Sequence, residues 1–313
     1  MVINIHSRNQ LLVVGGSGFI GQHVVKKSLE KGFNTTVLSK NDRNNINDLY
    51  GVEYLIADIG HKESLLIALK DKVFDYVINL GGYVDHVNYS NGGSKVYDVH
   101  FNGVRNLIDC LDRSQLKGFV QIGSSDEYGN NPAPQSETQR EAPISPYSCA
   151  KVASTYFLQT LYKTEKLPVV ILRPFLVYGP GQGGERFIPQ IIKGCLNNRK
   201  FPTSKGEQLR DFCFIDDFIQ AIFSALGNDK VYGEVVNVAS GKPVSIKKMI
   251  GTIVNIIGSG QPKFGEVSYR SGENMKLYGD ITKAKELLNW KPDTSLEHGL
   301  AKTINWAQET DNE

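Results

Sequence analysis

Short, largely apolar runs alternate with helical stretches along the first half of the chain. Leu11–Val14, Thr35–Leu38, Tyr54–Ala57, Asp75–Leu80, Phe119–Ile122 and Val169–Leu172 are expected strands. Between them, Ile20–Lys31, His61–Lys72, Val96–Arg113 and Ser145–Lys166 are expected helices. Strands that are apolar on both sides, rather than alternating, indicate a parallel sheet covered by helices on both faces. The expected fold class is therefore α/β, a Rossmann-type doubly wound parallel sheet.

After Pro174 this rhythm breaks. Glycines and prolines become dense in YGPGQGG and FPTSKGEQ, and the helices shorten. Glu234–Val238 reads as one more strand returning to the main sheet. The expected division is a dinucleotide-binding Rossmann domain over 1–175, with 211–240 returning to it. Residues 176–210 and 241–313 then form a smaller C-terminal α/β substrate domain over the carboxyl ends of the strands.

Composition narrows the function classes. A chain of 313 residues can bury a sizeable core, and its net charge of +2 makes no electrostatic case for nucleic acid or membrane partners. No apolar run reaches the ~18 residues that a membrane span needs. The start, MVINIHSRNQ, lacks a basic segment followed by an apolar one. The four cysteines show no CxxC spacing and read as reduced thiols, so a cytoplasmic location is expected. The six histidines are scattered, and no metal site is expected.

VVGGSGFIG places Gly15, Gly18 and Gly21 directly after the first strand and at the start of a helix. Gly15 allows a tight turn, Gly18 lets backbone approach a pyrophosphate, and Gly21 lets helix and strand pack closely. The helix N-terminus adds free N–H groups and a favourable dipole. A glycine pattern alone is weak, but the strand–turn–helix context points to a dinucleotide. The second strand ends with Ser39 and Lys40, and Arg43 follows. A hydroxyl and cations suit the 2′-phosphate of NADP, so NADP(H) is the favoured cofactor, with NAD(H) possible. Asp58 ends the third strand, placed either to meet the adenine or to cap the strand end.

Ser145-Pro146 opens a helix on which Tyr147 and Lys151 share a face at i and i+4. A tyrosine exchanges protons poorly at neutral pH unless a cation stabilises its phenolate. Tyr-x-x-x-Lys by itself usually means packing. Beside a dinucleotide turn and the strand-end Ser124, it reads as catalytic.

GGSGFIG, SSDEYG, SPYSCAK, RPFLVYGPG, LRDFCFIDD and LLNWKP together resemble the extended short-chain dehydrogenase/reductases that modify nucleotide sugars. The resemblance spans residues 11 to 300. It implies Ser124, Tyr147 and Lys151 as catalytic triad, a nucleotide-diphosphate-sugar substrate, and a homodimer through helices near 95–113 and 146–165. The candidate cofactor contacts are Gly15, Gly18, Phe19, Ile20, Ser39, Lys40, Arg43, Asp58, Ile59, Leu80, Gly81, Gly82, Tyr147, Lys151 and Pro174. Arg210 and Arg270 match diphosphate-binding arginines, Phe187 lies in the segment expected along the base, and Arg186 precedes it. Tyr83, His86, Ser125 and Asp126 are candidates to line the sugar pocket. Asp216-Asp217 is expected to orient Arg210 or cap a helix rather than do chemistry.

Three positions depart from the family pattern. Gly81-Gly82 replaces Ala-Ala, His100 replaces an asparagine, and Leu176 replaces another. The run GSSDEYG, residues 123 to 129, bears on the reaction. The dehydratases resemble STDEVYG, with an Asp-Glu acid/base pair. Counting back from Tyr128 puts that pair on Ser125 and Asp126, whereas counting forward from the strand puts it on Asp126 and Glu127. Taken back from Tyr128, the run looks most like reductases of GDP-4-keto-6-deoxymannose; other segments resemble CDP-abequose and CDP-paratose synthases. The expected reaction is thus NADPH-dependent reduction of the C4 ketone of an NDP-4-keto-6-deoxy sugar. An NAD-dependent 4-epimerase or 4,6-dehydratase is the alternative.

Overall fold

The computed structural model describes residues 8–40, 50–269 and 273–310. Its main sheet has the strands β1 (Gln10–Val14), β2 (Asn34–Ser39), β3 (Val52–Ile56), β4 (Tyr76–Asn79), β5 (Gly118–Ile122) and β6 (Val169–Pro174), with Val235–Val238 beyond β6. The order is Val235–Val238, β6, β5, β4, β1, β2, β3, and the pairs within β1–β6 are parallel. This is the expected α/β doubly wound class. The chain winds outward from β1 in both directions, so the switch point lies between β1 and β4, where open sheets bind ligands at their carboxyl ends.

Apart from the edge strand β3, the apolar strands are buried because helices cover them. Leu12, Val14, Val77, Phe119, Val169 and Ile171 pack with Leu65, Val104, Leu107 and Leu158 in one core cluster. The covering helices are α1 (Phe19–Glu30), α2 (Lys62–Ala68), α3 (Ser94–Tyr97), α4 (Gly103–Cys110) and α5 (Pro146–Glu165). α2 ends earlier than expected, because the chain turns through Asp71 at φ 59°. The expected helix 96–113 is α3 and α4 joined through a π-helical turn, Asp98–Asn102. Ser145 caps α5 as expected: its hydroxyl accepts the Ser148 N–H, and the Ser148 hydroxyl accepts the Ser145 N–H.

By its contacts the chain divides into two compact units. The first is Met1–Glu127, Pro143–Leu172 and Ile222–Val236; the second is Tyr128–Ala142, Arg173–Ala221 and Asn237–Glu313. The second is built from short paired strands. Leu176–Tyr178 lies beside Phe212–Phe214, Lys200–Thr203 beside Gln261–Phe264, and Leu209–Arg210 between Val244–Ser245 and Lys276–Leu277. Its buried Asp217 accepts the N–H groups of Asp293 and Thr294, and its backbone carbonyl accepts the Trp290 indole. Asp217 therefore anchors the NWKPD segment. Among the described residues no helix is long and apolar enough to cross a membrane.

Candidate active site

The turn after β1 is closed by backbone. Gly15 has φ 76°, and a Cβ there would lie 3.1 Å from the Leu80 carbonyl and the Gly81 nitrogen. A Cβ on Gly21 would fall 2.3 Å from the Gly15 oxygen, so α1 can approach only over glycine. Gly18 is the exposed N-cap of α1, and Phe19 and Ile20 follow half-buried. No side chain caps this helix and no acidic residue stands in its first turn. Among the described residues its first N–H groups thus have no side-chain cap beside the positive dipole end, which fits a pyrophosphate.

The expected cationic cluster at the end of β2 takes a different form. Ser39 is buried and donates its hydroxyl to Ser17 Oγ at 3.0 Å. Lys40 Nζ lies 2.9 Å from Asp58 Oδ2, so its charge is answered within the protein. Partial burial works against the Asp58 carboxylate, but the Lys40 bond and the Gly60 N–H outweigh it and hold its pKa below the usual range. Arg43 lies outside the described residues. The NADP preference loses the support it drew from Lys40. Ile59 is buried, and its side chain fills the space that a Cβ on Gly81 would need. Leu80 follows β4 and donates its N–H to the Val14 carbonyl. Gly81 donates its N–H to Asn79 Oδ1 at 3.0 Å.

Gly82 and His100, two of the departures, explain each other. A Cβ on Gly82 would lie 2.2 Å from His100 Cε1, so the imidazole occupies the space an alanine methyl would take. His100 is 3% exposed, in the π-helical turn. Its Nε2 is 2.7 Å from the Tyr83 carbonyl, which makes that nitrogen the donor and Nδ1 the bare acceptor. Nδ1 is buried without a protein partner among the described residues. Burial, aided by the Lys151 charge, pushes the imidazole pKa down to about 3, against the Tyr83 bond. His100 is therefore neutral. Its ring stands perpendicular to that of Tyr147, with centroids 5.0 Å apart.

α5 brings Tyr147 and Lys151 of the expected triad into this corner. Tyr147 and Lys151 are both buried, with Lys151 Nζ 5.9 Å from the phenol ring centre. Lys151 Nζ donates to the Ile122 carbonyl at 2.8 Å. Burial lowers its pKa to about 8, with the Glu127 charge acting the other way. Ser124 follows β5, and its Oγ accepts the Asp126 N–H at 3.1 Å.

The run after Ser124 is a 3-10 turn, Ser125–Tyr128, that sorts its side chains. Glu127 is 0% exposed; its carboxylate accepts the Ser124 N–H at 2.9 Å and the Thr155 hydroxyl at 2.8 Å. It braces the loop from inside. Ser125 is buried, whereas Asp126 keeps 31% of its side chain exposed, 3.6 Å from His86 Nε2. His86 also stands edge-on to Tyr147, at 5.6 Å. Tyr83 is exposed, tilted against His100. Thr155 is not legible in the sequence as the partner of Glu127. No spacing signal links residues so far apart.

The remaining candidates belong to the second unit. Arg210 forms an ion pair with Glu273 and donates to the Leu209 carbonyl, so this expected phosphate ligand already has a carboxylate beside it. Arg186 is exposed, 3.4 Å from Glu185, and N-caps the helix Phe187–Leu196. Phe187 stacks on Phe212 at 6.4 Å. Pro174 closes β6. Arg270 lies outside the described residues.

Residues 11–239 match the model of the NAD dependent epimerase/dehydratase family. The chain belongs to that family. It is 29% identical to a UDP-glucuronate 4-epimerase of Thermodesulfobacterium geofontis, over 95% of this chain and 96% of the relative. It is 27% identical to a dTDP-glucose 4,6-dehydratase of Xanthomonas campestris, over 94% and 92%. A UDP-glucose 4-epimerase of Thermotoga maritima, solved with UDP-glucose, superposes with a TM-score of 0.87 at 26% identity, over 96% of this chain and 99% of that one.

Proposed function

We propose that the protein is an NAD-dependent nucleotide-sugar 4-epimerase. The observation that carries this reading is the inward Glu127. A 4,6-dehydratase of the resembled kind needs two carboxyl groups open to the sugar, and here one of the two is sealed and doubly bonded. The relatives speak for epimerase or dehydratase chemistry rather than for the 4-reductase expected from GSSDEYG, and the family is described as NAD dependent. The Lys40–Asp58 pair agrees with that cofactor.

When bound at the Gly15–Gly21 turn, NAD supplies hydride acceptance and return at C4. The chain's own groups do the rest. Ser124 Oγ holds the C4 oxygen, and Tyr147 takes and returns the hydroxyl proton. Lys151, a cation at neutral pH, favours the phenolate form of its neighbour. Arg210 is assigned to the sugar-nucleotide diphosphate, exchanging its Glu273 contact for phosphate oxygens.

The test is to supply NAD and a panel of UDP- and dTDP-hexoses and follow C4 inversion by NMR. Inversion without net cofactor consumption is expected. Stoichiometric NADPH oxidation by a 4-keto sugar, without inversion of any hexose, would restore the reductase.

A further inference from the structure

A 4-epimerase needs one proton-transfer group, at the C4 oxygen. This corner holds a second couple that such a reaction does not use. His86 Nε2 and Asp126 Oδ2 lie 3.6 Å apart, with 48% and 31% of their side chains exposed. Both are fixed relative to the triad. Asp126 is tied to Ser124 through its own N–H and stands in the turn that the buried Glu127 braces. His86 is set edge-on to the Tyr147 ring. The couple therefore lies beside the Tyr147 ring and Ser124, and it is partly exposed.

Oxidation at C4 makes the hydrogens on the neighbouring ring carbons acidic, because the ketone can take up the electron pair. We propose that His86, oriented by Asp126, is a general base for the carbon next to that ketone. This proposal rests on the C4-oxidising function above. The C–H bond breaks, its proton moves to the imidazole, and its electron pair forms the carbon–carbon double bond of an enolate. The enolate oxygen is held by the Ser124 and Tyr147 hydroxyls, and the Asp126 carboxylate faces the resulting imidazolium. The proton then returns to carbon, and the step needs no oxidant or reductant. Exchange of the imidazolium proton with solvent makes the event visible. An imidazole ring nitrogen can take up a proton and give it back, as this step requires.

The experiment uses dTDP- and UDP-4-keto-6-deoxyglucose as probes, in D2O, with the full chain and no added cofactor. Proton NMR follows the signals on the two carbons beside the ketone, and saturation transfer in the same samples reports probe binding. The expected result is exchange at least tenfold above the enzyme-free rate. His86→Asn should lose at least tenfold of that rate and Asp126→Asn several-fold, both variants still binding probe. Binding by the wild-type protein without exchange above background overturns the proposal and leaves the epimerase standing. Exchange that survives His86→Asn also overturns it. If neither probe binds, the nucleotide-sugar reading falls and takes this proposal with it.

Discussion

Two glycine turns follow neighbouring strands of this sheet, and they need glycine for different reasons. After β1, the helix backbone presses on the turn's own backbone: a Cβ on Gly21 would meet Gly15 and Gly16 main-chain atoms. After β4, a distant side chain does the pressing, with His100 filling the space beside Gly82. The first constraint is local and cannot be relieved by another substitution. The second involves two positions far apart in sequence, so a change at His100 can relieve the contact, though not the strain of φ 143° at Gly82.

The largest expected effect separates chemistry from both turns. Tyr147→Phe should lower turnover by about 10²–10⁴-fold while leaving NAD affinity nearly intact, because the turn after β1 is untouched. Steady-state kinetics with a direct binding titration checks both halves. Gly21→Ala should come next. It should destabilise the protein by about 3 kcal/mol or more in urea unfolding, with no recovery from changes in Val37 or His100.

The acid limb of stability probes the His100 corner. With a folded pKa of about 3 against 6.5 unfolded, the unfolded chain binds the proton more readily between those values. Stability is therefore full above about pH 6.5 and is lost as pH falls toward 3. The wild type should lose about 2–4 kcal/mol relative to His100→Asn over that window, read from paired denaturation curves.

Gly82→Ala should cost about 2–3 kcal/mol. Adding His100→Asn should recover about 1 kcal/mol, by removing the clash but not the strain of φ 143°. Strict additivity in that double-mutant cycle would break the comparison. Smallest of all, Lys40→Ala should change NAD affinity by no more than about twofold, since an exposed lysine facing a carboxylate contributes little.

Much of this was legible in the sequence because it depends on near neighbours. The largely apolar strands announced a covered parallel sheet, Ser145-Pro146 announced the start of α5, and VVGGSGFIG announced the phosphate turn. Three things were not legible. The Ser39–Lys40–Arg43 cluster looked like a 2′-phosphate site because linear order does not show that Lys40 reaches Asp58. The π-helical turn in the 94–110 helix has no spacing of its own, and it contains His100, which bonds the Tyr83 carbonyl in the loop after β4. Asp217 read as a partner of Arg210 or as a helix cap, yet its carboxylate holds a segment 76 residues further on.

The GSSDEYG run shows where the boundary falls. The sequence by itself determined that two adjacent carboxylates follow a strand-end serine, and hence that the two dehydratase registers compete. Only the tertiary structure decided which of the two carboxylates faces outward. The Ser124 N–H and the Thr155 hydroxyl converge on Glu127 and draw it inside, so the 3-10 turn leaves Asp126 outward beside His86. A buried carboxylate must find hydrogen-bond donors, and here the donors come from elements that meet only when the sheet and α5 pack together.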